Sequence, residues 1–331
     1  MNKYTKAISC RICGEDKAAE WLYPREMMFG RRNHFTYFRC AMCECLQAAE
    51  VPIDLAEYYP KDYYSLQTLP DPSVPWWIEQ KRRWAFPYMT SHKLGWNNLW
   101  GSLLCQFKNG PPYPGWLQFL AHATSHAGGV LDVGCGSGMN LLSLRDCGFI
   151  RLRGVDPFIP KSISYKGDVR IDKCQLQEVK GKFGLIMFHH VFEHLENPLL
   201  ALEQARQLLA PDGQILIRIP MSDSMPAKKY QENWVQLDAP RHITLNTRKS
   251  MDLAAKKTGM KIARVVYDST EFQFWGSEQY LLDIPLMDKR SFQNNPPVKI
   301  FDDNIISSFI EQSKILNQKQ QGDQAAFTLV C

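Results

Sequence analysis

From residue 127 to the C-terminus the chain alternates short apolar runs with longer stretches of helical period. Seven runs read as strands: GGVLDVG (128–134), RLRGVDP (151–157), VRID (169–172), GLIMFHH (184–190), QILIRIP (214–220), IARVVYD (262–268) and AAFTLV (325–330). Helical patterns fall between them. MNLLSLRDCG follows the first run, NPLLALEQARQLLAPDG ends in a Pro-Asp-Gly turn, and TRKSMDLAAKKTGM opens on a Thr cap. This order predicts an α/β fold with a Rossmann-like, seven-stranded, doubly wound sheet over residues 127–331. Residues 281–322 are weakly periodic around NNPP, which predicts a loop-rich insertion before the last strand.

Upstream, the pattern changes twice. Residues 1–70 are rich in cysteine and tyrosine and close on YYPKDYYS, followed by LPDPSVP. Residues 71–126 form an aromatic-rich connector holding Trp76, Trp77, Trp84, Trp96, Trp100 and Trp116. Three readings fit it: a helical lid, a stacking surface for sugar or base, or apolar packing against the N-terminal lobe. Lys81, Arg82 and Arg83 suit RNA or simply the solvated face of a helix.

Composition narrows the class. The 331 residues are 45% hydrophobic and 22% charged, an ordinary globular balance. A net charge of +5 does not by itself imply nucleic acid. MNKYTKAISC lacks the apolar stretch of a signal peptide, and no apolar run is long enough to span a membrane. Ten cysteines without a secretion signal favour reduced thiols and a cytoplasmic protein.

Two features carry chemistry. In VLDVGCGSG (130–138) Asp132 precedes Gly134, Gly136 and Gly138, and Asp156 closes the second strand. Glycines at this place let a ligand approach the backbone, and an acid at the second strand's end can accept ribose hydroxyls. Cys135 sits inside that loop and is no candidate nucleophile. Cys10-x-x-Cys13 and Cys40-x-x-Cys43 are two chelating pairs that match a closed, structural zinc site. Four unligated thiols are the alternative. Cys45 is a spare that packs rather than ligates.

VLDVGCGSG, GVDP, FGLIMFHHVFEHLENP and LLAPDGQILIRIP, in that order, resemble the motifs of the class I S-adenosylmethionine-dependent methyltransferases. The resemblance implies that the last strand runs antiparallel. It places Lys173 and Cys174 near an adenine and His189 and His190 on the methionine side, although His190 fits core packing equally well. Paired cysteines, then YYPKDYYS, then such a core resemble bacterial methyltransferases with an N-terminal zinc ribbon in sugar and polysaccharide biosynthesis. The implied acceptor is a small molecule, a sugar or sugar nucleotide methylated on oxygen or carbon. The chain departs from that pattern where Glu44 replaces the glycine after the second cysteine pair. An RNA methyltransferase and a non-catalytic cofactor-binding scaffold are the other readings.

In open α/β sheets the ligand crevice lies beyond the carboxyl ends of the strands. There MSDSMPAKKYQENWVQLDAPRHITLN leaves the fifth strand. His242 is the first expectation for a general base and His194 the second, with Arg241 gripping an anionic part of the acceptor. The competing reading makes Arg241 and His242 braces for the helix that starts near Thr247, and His194 an orienter of its loop.

Overall fold

The computed structural model describes residues 8–59, 69–71, 74–96, 98–107, 110–297 and 299–331. Most of YYPKDYYS therefore lies outside the described residues, as do parts of the connector.

The N-terminal lobe contributes β1 (Ala18–Leu22), β2 (Tyr37–Cys40) and β3 (Leu46–Ala48). Helices α1 (Trp76–Trp84), α2 (Phe86–Lys93) and α3 (Leu99–Phe107) form the connector. The main body then runs β4 (Val130–Val133), α4 (Met139–Asp146), β5 (Leu152–Val155), β6 (Ile163–Tyr165), β7 (Val169–Asp172), β8 (Phe183–His189), α5 (Pro198–Leu208) and β9 (Leu209–Pro220). It closes with α6 (Met225–Tyr230), β10 (Thr244–Leu245), α7 (Arg248–Lys257), β11 (Lys261–Tyr267), α8 (Phe272–Leu281), α9 (Asp303–Gln318) and β12 (Gln324–Val330).

Its sheet is mixed, in the order β11-β12-β9-β8-β4-β5-β7-β6. The five strands β4, β5, β7, β8 and β9 are mutually parallel, and β12 runs antiparallel to both β9 and β11. All seven expected strands are present. The eighth, β6, pairs antiparallel with β7 at the edge. Only three residues long, it has no periodicity that a sequence reading could detect.

Successive residues of a strand face opposite sides, so the central strands feed two layers. Leu131, Ile186, Phe188 and Ile217 pack with Leu202 and Ala205 of α5 and Met251 and Ala254 of α7. Val130, Leu185, Met187 and Leu216 pack with Leu141 and Leu144 of α4 and with Leu117 and Leu120 on the other face. Burial on both faces explains why β8 is apolar almost throughout. Thr247 caps α7 as expected, accepting from the Ser250 backbone N–H.

Three expectations change. The Pro-Asp-Gly turn is absorbed into the start of β9, where the pairing register with β8 slips between Phe183 and Leu185. The 281–322 stretch is not simply loop, because it contains the 16-residue α9, capped by the Asp302 side chain on the Ile305 N–H. The helix is amphipathic, with Phe309 and Leu316 packed against the core that holds Trp234 and Phe274, so a helical period was present in this stretch and was missed. In the connector, Trp76, Trp77, Trp84 and Trp100 stand exposed. Trp96 and Trp116 pack against the core of the main sheet rather than against the N-terminal lobe.

The lobe's sheet has the order β1-β2-β3-β10, and its fourth strand comes from the main body. Thr244 and Leu245 pair with Gln47 and Leu46 of β3. Among the described residues no helix is long and apolar enough to cross a membrane.

Candidate active site and metal centre

The loop after β4 turns through three left-handed glycines, with φ of 67° at Gly134, 53° at Gly136 and 87° at Gly138. L-residues avoid that region. Space closes the case at Gly134, where an added Cβ would lie 2.6 Å from Val191. A Cβ at Gly138 would collide with Ile171.

Asp156, just past β5, is 6% exposed. Its Oδ2 accepts from the Gly136 N–H at 2.9 Å and its Oδ1 from the Phe158 N–H at 2.8 Å. The carboxylate thus braces the glycine loop directly. Burial raises its pKa above the ordinary range in spite of these donors. Asp132 lies within β4, buried, and its Oδ2 has no partner among the described residues. Burial first, and Asp156 nearby, push its pKa up to about 8, against a bond from Asn140. Sequence reasoning missed Phe158, whose ring is 80% exposed two residues past Asp156. The one available signal was an aromatic in a turn next to the acid.

At the end of β7, the Lys173 ammonium donates to the Pro160 carbonyl at 3.2 Å, and Cys174 is half-buried. The two histidines that end β8 part company. The His189 ring packs on Trp116 with centroids 4.7 Å apart, its Nε2 has no partner among the described residues, and burial lowers its pKa to about 3. His190, at φ 52°, accepts at Nε2 from Arg218 at 3.1 Å. Its Nδ1 faces Glu193 Oε1 at 3.5 Å.

Beyond β8 a short turn brings Glu193 and His194 against His242, which arrives from the loop before β10. The His194 and His242 rings meet edge to face, with centroids 4.7 Å apart. His194 Nδ1 lies 2.8 Å from the Arg241 carbonyl and 3.1 Å from the Tyr59 hydroxyl. His242 Nδ1 donates to the Gln236 carbonyl at 2.7 Å, and its Nε2 lies 3.9 Å from Glu193 Oε1. Glu193 is fully buried, and neither carboxylate oxygen has a hydrogen-bond partner among the described residues. Burial and His242 push His194 down to about 4. Burial pushes Glu193 up, but the three surrounding histidines outweigh it and hold the carboxyl below its ordinary value. Sequence reasoning placed both histidines at the site but missed Glu193 between them.

Arg241 does not join this group. Its guanidinium is fully buried and bonds Asp238 at 3.0 Å, Glu26 at 3.0 Å and the Tyr58 carbonyl at 3.2 Å. A guanidinium so engaged has no fork left for an acceptor. The expectation of an acceptor anchor is corrected: Arg241 braces the loop that carries His242.

In the lobe, Cys10 Sγ lies 3.4 Å from Cys43 Sγ, and Cys13 Sγ lies 3.3 Å from Cys40 Sγ. All four sulfurs fall within 4.8 Å of one another, a group able to hold a metal ion. Backbone N–H groups of Cys13, Met42 and Cys43 and the Gln47 amide point at the sulfurs, the outer support that thiolate ligands need. Cys45 turns away and donates to the Leu245 carbonyl at 3.3 Å. Glu44 takes φ 64° where its counterpart after the first pair is Gly14 at φ 87°. That backbone costs about 1–2 kcal/mol for a non-glycine residue. The Glu44 side chain bonds Lys249 at 2.9 Å.

Residues 111–265 match the family model described as a methyltransferase domain. The chain carries a methyltransferase domain. That span holds the glycine loop, Asp132, Asp156, Glu193, His194 and His242, while the four cysteines precede it. Among solved structures, the chain is similar to the cyclopropane synthase MmaA2 of Mycobacterium tuberculosis, at 15% identity, TM-score 0.39, 61% of this chain and 78% of that one. It is also similar to a 1,6-didemethyltoxoflavin-N1-methyltransferase of Burkholderia thailandensis, at 19% identity, TM-score 0.32, 41% of this chain and 61% of that one. A third is a possible histamine N-methyltransferase of Thermotoga maritima, at 18% identity, TM-score 0.36, 61% of this chain and 81% of that one. No curated protein matches the chain.

Proposed function

We propose that the methyltransferase domain uses S-adenosylmethionine to methylate a small-molecule acceptor, a sugar or sugar-nucleotide precursor, on oxygen or carbon. The observation that carries this reading is Asp132, a buried carboxylate with an unpartnered oxygen at the root of a glycine loop. An unpaired acid there is costly unless a bound cationic group completes it, and the ammonium of S-adenosylmethionine is such a group. Asp132 would hold the amino-acid end, the Gly134–Gly138 backbone would pass under the ligand, and Asp156 has lone pairs remaining for ribose hydroxyls. Phe158 offers an apolar face for the adenine. When bound, the cofactor supplies an electrophilic methyl group.

This chain's own residues then handle the acceptor. Because the Gln236 carbonyl takes the Nδ1 proton of His242, Nε2 keeps the lone pair that a general base needs. His194 is tied in the same way to the Arg241 carbonyl. We assign the four cysteines a structural zinc, since four thiolates close the coordination shell and leave no position for chemistry.

The test is calorimetric titration with S-adenosylhomocysteine, followed by incubation of labelled S-adenosylmethionine with candidate sugar nucleotides and mass spectrometry of the products. His242→Ala should lower turnover by about 100- to 10,000-fold while the cofactor binds as before. A chain that binds no cofactor overturns the reading.

A further inference from the structure

Two imidazoles and a carboxylate converge where the sequence marked only candidate bases. We propose that Glu193, His194 and His242 bind a divalent transition-metal ion, at a site separate from the four cysteines. One ligand atom from each of the three residues lies within 4.8 Å of the others. Both rings are oriented from behind by backbone carbonyls. The Arg241 carbonyl holds His194 Nδ1 at 2.8 Å and the Gln236 carbonyl holds His242 Nδ1 at 2.7 Å, which leaves Nε2 of each ring with its lone pair. That is the outer arrangement that metal-ligating histidines use.

Glu193 supplies the independent observation. It is completely buried, and neither oxygen closes a hydrogen bond among the described residues. The nearest ring nitrogens, His190 Nδ1 at 3.5 Å and His242 Nε2 at 3.9 Å, stand too far off to satisfy it. A buried carboxylate that closes no hydrogen bond, with its nearest ring nitrogens at 3.5 and 3.9 Å, has both oxygens available to a cation.

The donor set selects the ion. Imidazole nitrogen with one carboxylate suits zinc, iron(II) or manganese(II), whereas calcium and magnesium prefer oxygen alone. Three protein ligands leave coordination positions free for water or for acceptor oxygens, unlike the closed set of four thiolates. Ion and proton compete for the one Nε2 lone pair of His242, so the base reading applies to metal-free protein and metal occupancy should slow methyl transfer. The binding claim itself requires no methyl transfer.

Cobalt(II) is the probe. Protein whose four cysteines are filled with zinc is titrated with cobalt, read by calorimetry and by visible d–d absorption. We expect one further equivalent, with d–d bands and no thiolate charge-transfer band. Glu193→Gln and His242→Ala should each weaken it by more than about 100-fold, beyond the loss that outer-shell changes give. Glu193→Gln removes an unpaired buried charge and should melt no lower than the parent without metal, which separates lost ligation from lost folding. Parent protein that takes up no cobalt outside the cysteines overturns the site, as does a Glu193→Gln variant that binds cobalt as tightly. S-adenosylhomocysteine titrated into the same samples reports on the cofactor reading separately.

Discussion

The Tyr37 hydroxyl donates to the backbone carbonyl of His242 at 2.7 Å, both groups buried. Tyr37 opens the strand that ends at Cys40, while His242 belongs to the methyltransferase domain. The lobe therefore holds the loop that presents the imidazole. Two neighbouring bonds repeat the tie, from Ala48 N–H to the Ile243 carbonyl and from Thr247 Oγ1 to the Cys43 carbonyl, each 2.9 Å. Tyr37→Phe leaves the His242 carbonyl buried and unpaired, a loss of roughly 1–3 kcal/mol. Denaturant melts should register that loss. Turnover should fall while S-adenosylhomocysteine affinity holds, and equal losses in both would show that Tyr37 acts on the whole fold.

Zinc removal should reach the active site for the same reason. Elemental analysis should give about one zinc per chain. Cys40→Ser, or a chelator, should free β3 from its metal anchor and with it the strand β10 that pairs with β3. Activity should then decline in step with zinc content, before the main sheet melts. Full turnover in zinc-free protein would show that the lobe and the site are independent.

The seven expected strands of the main sheet and the glycine loop were legible because their signals are local: apolar runs of a buried sheet, and glycines at positions a side chain cannot occupy. Cys10, Cys13, Cys40 and Cys43 were legible from spacing alone. Glu193 was not, since its meaning comes from His242, which lies 49 positions away in the chain and reaches it only through the fold. Arg241 was misread because an arginine beside a histidine looks the same in sequence whether it faces a crevice or two buried acids. β10 was invisible for a related reason. Two residues carry no period, and only the partner strand gives them a register.

Asp132 predicts a pH signature. Its pKa is pushed up to about 8 from 3.8, so the free protein carries the proton at pH 7. For a carboxyl raised on folding, the stabilising contribution is complete below the unfolded value and is lost as pH rises through the folded one. The stability contribution of Asp132 should therefore decline between about pH 4 and 8. Cofactor binding runs the other way. An ammonium favours the ionised form, so S-adenosylhomocysteine should bind more tightly as pH rises from 6 toward about 8. Within that range binding should release a proton, which calorimetry in buffers of different ionisation heat detects. Asp132→Asn should bind weakly and lose the slope. A slope that survives in that variant assigns it elsewhere.

Asp156 has two tasks, which a pair of variants separates. Its Oδ2 holds the Gly136 N–H, and its remaining lone pairs are those assigned to ribose. Asp156→Ala should weaken S-adenosylhomocysteine by roughly 1.5–3 kcal/mol, the scale of charge-assisted hydrogen bonds. Asp156→Asn keeps one carbonyl acceptor for the loop and should recover stability more fully than affinity. Unchanged affinity in Asp156→Ala removes the residue from the cofactor site.

Arg241 tests the corrected assignment. Its guanidinium lies between Glu26 and Asp238, with the ring of Phe29 5.2 Å from its centre. Removing one partner of a buried ion pair leaves uncompensated charge, which costs about 3–5 kcal/mol. Arg241→Met should therefore lower the melting temperature sharply, and Arg241→Lys only partly repair it, because an ammonium cannot span both acids as a planar fork does. Glu26→Gln combined with Arg241→Met should lose less than the two changes added separately, since the double variant no longer buries the unpaired Glu26 charge. Protein that remains folded should keep the acceptor KM of the parent and lose kcat, because the loop that holds His242 has lost its brace. A normal melting temperature with a raised KM would restore Arg241 to the acceptor site.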